Sequence, residues 1–520
     1  MKIELQLNQT RKFNKHYLFG VGSGHASLTL RRDYLEQLKY IHDTLGIKRV
    51  RFHGIFCDDM NVVRKLSDIV PVPGADRFLD INYDMIGEVY DNILACGMEP
   101  IVELSFMPSH FALNKNQKLM LYYDACVSMP RNDKEWFDFI ANFVKYLINR
   151  YGKEKVEGWL FEVWNEPDLI VFFGGSQADY FHLYEITAKA IKSVDPLIKV
   201  GGPSTSGSKW INEFLAFVKE NNLPLDFIST HQYAGDPIAN IDGNNLEDKA
   251  QAHGSPFSNP NLLRDVPSGS ILSGIRNIFI DKSEIKDIRN DSIIINSSQI
   301  KNVIGNLPLY YTEWNENATF SASTNDTRKV SAFLTMTSLK IDENVTGSSV
   351  WCFSDIFEEL HPFLEEFHGG FGLLTRHGIA KPSYYAIKFL SSLGDERYFV
   401  NDKYGDIYLG AFKKDNKVQI LITRQAMKNL FDLPKTHLEI SLSIKAKGAS
   451  IVGIDENSAN PLAIYEKMNN PKYLTKEDIR KIKAESTPQI KKLDFKYENN
   501  QTTFKLDMGI NDTYLIEMEL

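Results

Sequence analysis

Short apolar segments alternate with longer amphipathic segments from residue 15 to about residue 395 of this chain. The longer segments have helical spacing, since the apolar residues between Asp133 and Gly152 fall on one face of a helix. The short segments that indicate strands are Leu18–Gly22, Val50–His53, Pro100–Leu104, Trp159–Asn165, Lys199–Gly202, Phe227–His231, Leu309–Trp314 and Ser348–Phe353. Eight strands that each lead into a helix favour a closed (β/α)8 TIM barrel over an open sheet.

The pattern changes on both sides of this predicted barrel, which we assign to residues 15–395. Residues 396–520 contain short alternating segments, which predict a β-sandwich accessory domain with one surface helix at Leu474–Lys483. Residues 1–14 alternate like a strand that joins this sandwich. A long polar connection between His231 and Leu309 predicts a helix around Ile271–Ile280 and a cover over the barrel mouth.

Charge and composition exclude several classes of function. A formal net charge of −8 argues against nucleic acid as the main partner, because phosphate binding needs concentrated positive charge. The sequence has no apolar run long enough for a membrane span and no signal peptide, so we expect no membrane partner and a cytoplasmic location. A homo-oligomer remains possible.

Four cysteines occur without any CxxC spacing, so we expect reduced thiols and neither a metal nor another cofactor.

Two carboxylates stand at predicted strand ends, where barrel enzymes place their catalytic groups. Glu166 follows the fourth strand within Trp164-Asn165-Glu166-Pro167, and we expect Pro167 to stop that strand. Glu313 ends the seventh strand. Cleavage of a glycosidic bond needs one carboxyl group to protonate the leaving oxygen and another to act at the sugar carbon. The pair therefore predicts a glycosidase.

Glu103 and Glu162 also stand near strand ends. A single glutamate in such a position is more often a salt-bridge partner than a catalyst. We therefore treat a direct catalytic role for either residue as the minor alternative.

Several further motifs, taken together, resemble glycoside hydrolase family 39 and its β-xylosidase branch in particular. The likeness runs in order through the whole predicted barrel and continues weakly beyond it. The matching stretches are Arg51-Phe52-His53-Gly54, Phe106-Met107-Pro108, Phe161–Pro167, Val200-Gly201-Gly202-Pro203, Ser229-Thr230-His231 with Tyr233, Thr312-Glu313-Trp314-Asn315, Trp351–Glu359 and Phe367–Gly372.

This resemblance implies a retaining double-displacement mechanism with Glu166 as acid/base and Glu313 as nucleophile. It also implies a set of residues that bind the non-reducing sugar, with Asn165 on the 2-hydroxyl. That set is His53, Asn165, His231, Tyr233, Trp351, Glu358 and Glu359.

The chain departs from the family pattern just after the nucleophile. Family members commonly have a tyrosine there that orients the carboxylate, whereas this chain has Phe320 and no tyrosine. Tyr233 is the alternative candidate for that task. The connection after His231 is also longer than is usual in the xylosidases.

The implied activity is that of an exo-acting β-D-xylosidase on xylo-oligosaccharides. An α-L-arabinosidase, a β-glucosidase and an endo-xylanase stay open as alternatives. α-L-Iduronidase is disfavoured, because a uronate needs cationic residues that are not obvious beside the motifs. A carbohydrate-binding barrel without catalysis is the remaining alternative.

Overall fold

Eight parallel strands form a closed barrel in the computed structural model, which describes residues 1–119, 123–243, 290–359, 365–426 and 433–520. The barrel strands are β1 (Gly20–His25), β2 (Arg49–His53), β3 (Glu99–Glu103), β4 (Leu160–Glu162), β5 (Lys199–Thr205), β6 (Phe227–Tyr233), β7 (Leu309–Asn315) and β8 (Gly347–Val350). Each strand pairs with its neighbours in chain order, and β8 closes onto β1 through Val350 and Val21. The predicted TIM barrel is confirmed.

Helices follow the strands and bury their apolar faces against the barrel. The helices in this part of the chain are Arg32–Leu45, Asp84–Ala95, Asp133–Tyr151, Lys153–Glu157, Gln177–Val194, Ile211–Glu220, Ser292–Ile304, Arg328–Lys340 and Pro382–Ser391. Asn132 caps the Asp133–Tyr151 helix, because its side chain accepts a hydrogen bond of 3.0 Å from the Glu135 backbone N–H. Gly152 ends the same helix at a φ of 85°.

The carboxyl ends of the strands are irregular, and two predicted strand limits were wrong there. The structure ends β4 at Glu162 and β8 at Val350, earlier than the sequence predicts. Register shifts also interrupt the pairing near the carboxyl ends of β1, β6 and β7. Such irregularities turn side chains away from the ladder and towards the barrel mouth.

The long connection after β6 is described only at its two ends. The helix predicted at Ile271–Ile280 lies outside the described residues. The helix Ser292–Ile304, which the sequence analysis did not predict, packs close to β6, and the Ser292 hydroxyl donates to the Tyr233 carbonyl.

Two sheets form the sheet-rich region at the end of the chain. The smaller sheet has the order Lys2–Leu5, Thr436–Leu442, Gln501–Met508 and Phe495–Glu498. The larger has the order Lys491–Lys492, Gly448–Ile454, Thr513–Glu519, Lys417–Arg424, Ile407–Lys414, Glu396–Tyr398 and Thr10–Lys12, with Lys403–Tyr404 at one side. Strands from the first twelve residues therefore extend both sheets.

Apolar side chains from both sheets share a core in this region. The predicted surface helix is present at Lys476–Ser486, and Pro461–Lys467 forms a further helix. All four cysteines are buried and none forms a disulfide. None of the helices in the described ranges is long and apolar enough to cross a membrane.

A buried lysine ties together the loops that follow β7 and β8. The Lys381 ammonium lies 2.6 Å from Asp326 and 2.6 Å from Asp355, and it donates to the Gly370 carbonyl at 2.9 Å. All three charged side chains are almost fully buried. Asp355 also accepts a hydrogen bond from the backbone of Gly372. The lysine thus fixes the segment that begins at Asp355.

Replacement of Lys381 by methionine is expected to lower the free energy of unfolding by about 3–5 kcal/mol, because two buried carboxylates lose their cation. Lys340→Met is the matched control, since Lys340 pairs with Asp402 at 2.6 Å but both groups are partly exposed. This control should cost about 1 kcal/mol or less. Denaturant unfolding of both variants measures the difference, and equal losses would contradict a special role for Lys381.

Candidate active site

Glu166 and Glu313 both reach the barrel mouth, but from different kinds of backbone. Glu313 lies within β7, whereas Glu166 lies four residues beyond the end of β4 and not at the strand end as predicted. Trp164 and Glu166 have φ angles of 73° and 42°, which a β ladder does not accommodate. The Glu166 backbone N–H donates instead to the Ser204 carbonyl at 3.0 Å. Left-handed backbone of this kind is concentrated at functional sites.

The two carboxyl groups lie close together, with His231 between them. His231 Nδ1 is 3.1 Å from Glu166 Oε1 and 3.7 Å from Glu313 Oε2. One oxygen of each glutamate lies within 4.8 Å of the other. Carboxyl groups of retaining glycosidases are about 5–5.5 Å apart, and those of inverting enzymes about 6.5–9.5 Å. Two carboxyl oxygens this close are in keeping with the shorter, retaining separation and with direct attack on the sugar.

Arg51 is a fully buried cation on β2 that reaches the nucleophile candidate. Its Nη1 lies 3.4 Å from Glu313 Oε2. Its Nε donates to Glu162 at 2.6 Å, and its Nη2 lies 2.8 Å from Glu103 and 2.9 Å from Asn165 Oδ1. A buried charge is tolerated when it is paired in this way. Glu103 and Glu162 are therefore salt-bridge partners, which was the favoured interpretation of both.

Arg51 also fixes the direction of the Asn165 amide. Because the guanidinium donates to Oδ1, the Nδ2 group faces the other way and finds no hydrogen-bond partner among the described residues. His231 Nε2 is likewise buried without such a partner. Buried donors and acceptors normally pair, so both atoms are suited to sugar hydroxyls.

Tyr233 takes the position of an orienting group for Glu313. Its hydroxyl donates to Glu313 Oε1 at 2.6 Å. The tyrosine missing after the nucleophile is thus compensated from β6. Phe320 packs against Phe357, with ring centroids 5.6 Å apart, and contributes only apolar surface.

Three more predicted residues meet on the far side of the carboxyl pair. His53 Nδ1 lies 2.8 Å from Glu103, and its Nε2 lies 3.5 Å from Glu359. The His53 ring is 4.8 Å from the Trp351 ring, measured between centroids. A Cβ atom at Gly22 would lie 2.3 Å from the Trp351 ring, so a glycine is required behind it. We refer to this group of polar side chains, with its one aromatic ring, as the pocket.

Glu358 is directed elsewhere. Its carboxylate accepts a hydrogen bond of 2.6 Å from Arg31, which also pairs with Asp33. Its side chain is 27% exposed, whereas that of Glu359 is 13% exposed. The structure therefore brings Glu359 to the pocket and leaves sugar binding by Glu358 as a prediction.

The electrostatic surroundings separate the roles of the two catalytic candidates. Burial, together with the negative charges of Asp168 and Asp236, raises the pKa of Glu166 to about 8. Burial also raises the pKa of Glu313, but the guanidinium of Arg51 opposes this effect. The Arg51 guanidinium stabilises the charged form of Glu313, whereas the nearby carboxylates disfavour charge on Glu166. We therefore assign the one proton of the pair to Glu166.

His231 and His53 differ in charge because their neighbours differ. Burial lowers the pKa of His231 to about 4, which keeps it neutral. Burial also opposes the charge on His53, but Glu103 and Glu359 raise its pKa to about 9. His53 is therefore an imidazolium, and burial raises the pKa of Glu359 beside it to about 8.

Glu166, His231 and Glu313 would also offer three ligand atoms to a metal ion. The guanidinium of Arg51 already stands 3.4 Å from Glu313, however, and a second cation there would be repelled. The arrangement is that of an acid and a nucleophile on either side of one bond.

Arg51 and its network were not predicted as part of the site, although Arg51 lies within a matching motif. The sequence did contain a feature that could have predicted this network. Arg51 stands inside an apolar strand, and Glu103 and Glu162 stand near the ends of the next two strands. A charged residue in such a strand needs buried partners of opposite charge.

Comparison with known proteins agrees with this geometry. The family model described as "Glycosyl hydrolases family 39" matches residues 1–254 and 279–501. A β-xylosidase from Caldicellulosiruptor saccharolyticus is 34% identical over 96% of this chain and 94% of its own length. A second, from Geobacillus stearothermophilus, is 29% identical over 99% of this chain and 95% of its own length.

A solved structure, that of a monomeric β-xylosidase from Caulobacter crescentus, superposes with a TM-score of 0.78. It is 29% identical in sequence and covers 100% of this chain and 99% of its own. The matched family spans both the barrel and most of the sheet-rich region, and the carboxyl pair has the spacing of a retaining enzyme. The chain therefore belongs to glycoside hydrolase family 39 and is a retaining glycosidase.

Proposed function

We propose that this protein is an exo-acting β-D-xylosidase that releases xylose from the non-reducing ends of xylo-oligosaccharides. The observation that carries the proposal is the pair of carboxyl groups within 4.8 Å at the edge of a small pocket. The full-length relatives described as β-xylosidases support the choice of sugar.

In the first step, Glu166 donates its proton to the leaving glycosidic oxygen while Glu313 attacks the anomeric carbon. The bond from that carbon to the leaving oxygen breaks, and a glycosyl ester forms on Glu313. Tyr233 and Arg51 keep Glu313 in the charged form that attack requires. In the second step, Glu166 accepts a proton from water, and the water oxygen displaces Glu313 with net retention of configuration.

Asn165 is the residue we assign to the sugar 2-hydroxyl. Its Nδ2 group is buried, fixed in direction by Arg51, and lacks a hydrogen-bond partner within the described ranges. A hydrogen bond at that hydroxyl strengthens as positive charge develops on the ring. The amide therefore stabilises the transition state more than the bound substrate.

The shape of the pocket supports removal of single end units. The Phe357 ring packs against the Trp351 ring, with ring centroids 5.9 Å apart. Lys381 pairs with Asp355 and so fixes the start of the Asp355–Glu359 segment. The His53 imidazolium and the Glu359 carboxyl group are the polar groups that we assign to the distal hydroxyls of the terminal sugar. We infer that this packing closes the site at one end, so that a chain does not extend past the terminal unit.

Closely related sugars are the main competitors. The additional CH2OH of a glucoside has to fit near C5, and one such group typically changes selectivity by about 10–200-fold. An arabinopyranoside resembles xylose more closely, so we expect side activity on it. A uronate is disfavoured because Arg51 is already shared by Glu103, Glu162 and Glu313.

We also propose that the chain self-associates. Val63–Lys65 and Leu79–Ile81 form a two-stranded sheet. The segment between these strands has exposed apolar side chains, including Ile69 at 80% and Phe78 at 61% exposure. Contiguous exposed apolar surface commonly marks an interaction site. The solved relative from Caulobacter crescentus is described as monomeric, so association stays a prediction for this chain.

Digestion of xylohexaose tests the proposed function. We expect xylose and xylopentaose as the first products, because the closed pocket admits one sugar unit. On nitrophenyl glycosides, activity on the β-xyloside should exceed that on the β-glucoside by roughly 10–200-fold. Early mid-sized fragments would indicate an endo-acting enzyme, and binding without any product would indicate a barrel that has lost catalysis.

The pH dependence should follow the acid. Glu166 can donate its proton only below its pKa, so kcat/KM on xylosides with poor leaving groups should fall as pH rises through about 8. Asp168→Asn removes one of the charges that raise this pKa, so the fall should move to lower pH.

Asp226→Asn is the matched control. Like Asp168, Asp226 accepts a backbone N–H and pairs with a lysine, but it is not among the main charges that raise the pKa of Glu166. Its profile should equal that of the unaltered enzyme. A fall at the same pH in the Asp168 variant would contradict the electrostatic assignment.

A further inference from the structure

Tyr123 has a phenol hydroxyl that the reaction described above leaves unused. The residue lies on the connection between β3 and the Asp133–Tyr151 helix. Its hydroxyl oxygen is buried and has no hydrogen-bond partner among the residues that the structure describes. Buried hydroxyl groups normally pair with protein, water or ligand, so this one is a candidate for ligand binding.

The ring that carries this hydroxyl is held in place. It stacks on the imidazole of His25, with ring centroids 4.1 Å apart and an interplanar angle of 6°. His25 is fixed in turn, because its Nε2 lies 2.6 Å from Asp59 Oδ2. A side chain supported in this way presents its polar group in one direction, which is what specific recognition requires.

The stack with His25 also places Tyr123 beside the pocket. His25 and His53 are cross-strand partners at the ends of β1 and β2. The backbone before His25 packs on the segment that carries Glu359, since a Cβ atom at Gly24 would lie 3.0 Å from the Phe357 ring. Burial raises the pKa of Tyr123, and Glu359 is the first of the charged groups that add to this effect.

Glu359 contributes a second unpaired atom on this side of the pocket. Its Oε1 is buried without a hydrogen bond inside the described ranges, although His53 Nε2 lies 3.5 Å away. A sugar hydroxyl can accept a hydrogen bond from a phenol and donate one to a carboxyl oxygen. One hydroxyl group of a bound sugar therefore satisfies both Tyr123 and Glu359.

The position of Tyr123 in the pocket indicates which hydroxyl this is. The catalytic pair acts at C1 of the terminal sugar, and neither Glu166 nor Glu313 is among the main charges that act on Tyr123. C4 lies across the pyranose ring from C1, so its hydroxyl extends furthest from the carboxyl pair.

We propose that the Tyr123 hydroxyl, together with Glu359, binds the equatorial 4-hydroxyl of the terminal xylose and selects xylose over its C4 epimer. An α-L-arabinopyranoside differs from a β-D-xylopyranoside only in that its 4-hydroxyl is axial. An axial hydroxyl points away from the two groups and leaves them unpaired, and a site built to bond a hydroxyl rejects such a substrate. This assignment rests on the proposed function, because it takes xylose as the terminal sugar.

Tyr123→Phe tests the contact, since it removes the hydroxyl and keeps the ring that stacks on His25. The loss of one hydrogen bond should lower kcat/KM for nitrophenyl β-D-xylopyranoside by roughly 3–10-fold. The value for nitrophenyl α-L-arabinopyranoside should change by less than about twofold, because that substrate lacks the bond. The preference for xylose should therefore fall.

Tyr90→Phe is the matched control. The Tyr90 side chain is fully buried, and its hydroxyl also lacks a hydrogen-bond partner in the part of the chain that the structure describes. It lies on the Asp84–Ala95 helix, however, and packs against Trp159 instead of the pocket. Its removal should leave kcat/KM on both substrates unchanged.

Equal losses on the two substrates in Tyr123→Phe, or no loss on either, would overturn the proposal. If the unaltered chain does not hydrolyse the β-xyloside, the proposed function fails, and calorimetric titration with xylose decides the contact alone. Weaker xylose binding by Tyr123→Phe than by Tyr90→Phe would then sustain the contact. Equal affinity of the two variants, or no binding by the unaltered chain, would overturn it.

Discussion

The guanidinium of Arg51 is the interaction on which the rest of the active site depends. It enters from β2 and pairs with glutamates of β3, β4 and β7. A buried cation with these partners requires that the strands close in one register, since a slip of one residue would turn Arg51 away from the barrel interior. The contacts that stabilise the barrel therefore also place Glu313 and Asn165.

The same cation separates the chemistry of two glutamates that are both almost fully buried. Burial favours the protonated form of each, and two charged carboxylates so close together would repel. Arg51 and Tyr233 stabilise charge on Glu313, whereas Asp168 and Asp236 disfavour charge on Glu166. At neutral pH, the different surroundings of these two identical side chains therefore make Glu166 an acid and Glu313 a nucleophile.

Strand periodicity and strand-end motifs are local signals, and they were sufficient to predict the barrel and the carboxyl pair. The residues of the pocket followed only from the resemblance to the family. The sequence did not place Glu166 beyond the end of β4, since left-handed backbone at Trp164 and Glu166 depends on tertiary contacts such as that with Ser204. The pairing of Glu358 with Arg31 joins residues far apart in the chain, which spacing alone does not reveal.

The accessory region shows a similar limit. Gly448–Ile454 begins with glycine and lacks clear alternation, so its pairing with Thr513–Glu519 determines its structure. Ser292–Ile304 was missed because isoleucine-rich segments do not separate helix from strand without their neighbours. In both segments, tertiary packing decides what local preference leaves open.

The most direct test of the central claim is the anomeric configuration of the glycosyl azide that two variants form from an activated β-xyloside. Glu166→Ala still forms the ester on Glu313, so azide should displace it to give the β-azide. Glu313→Ala has no nucleophile, so azide should attack from the opposite face and give the α-azide. The β-azide from Glu313→Ala and the α-azide from Glu166→Ala would contradict the assignment of roles.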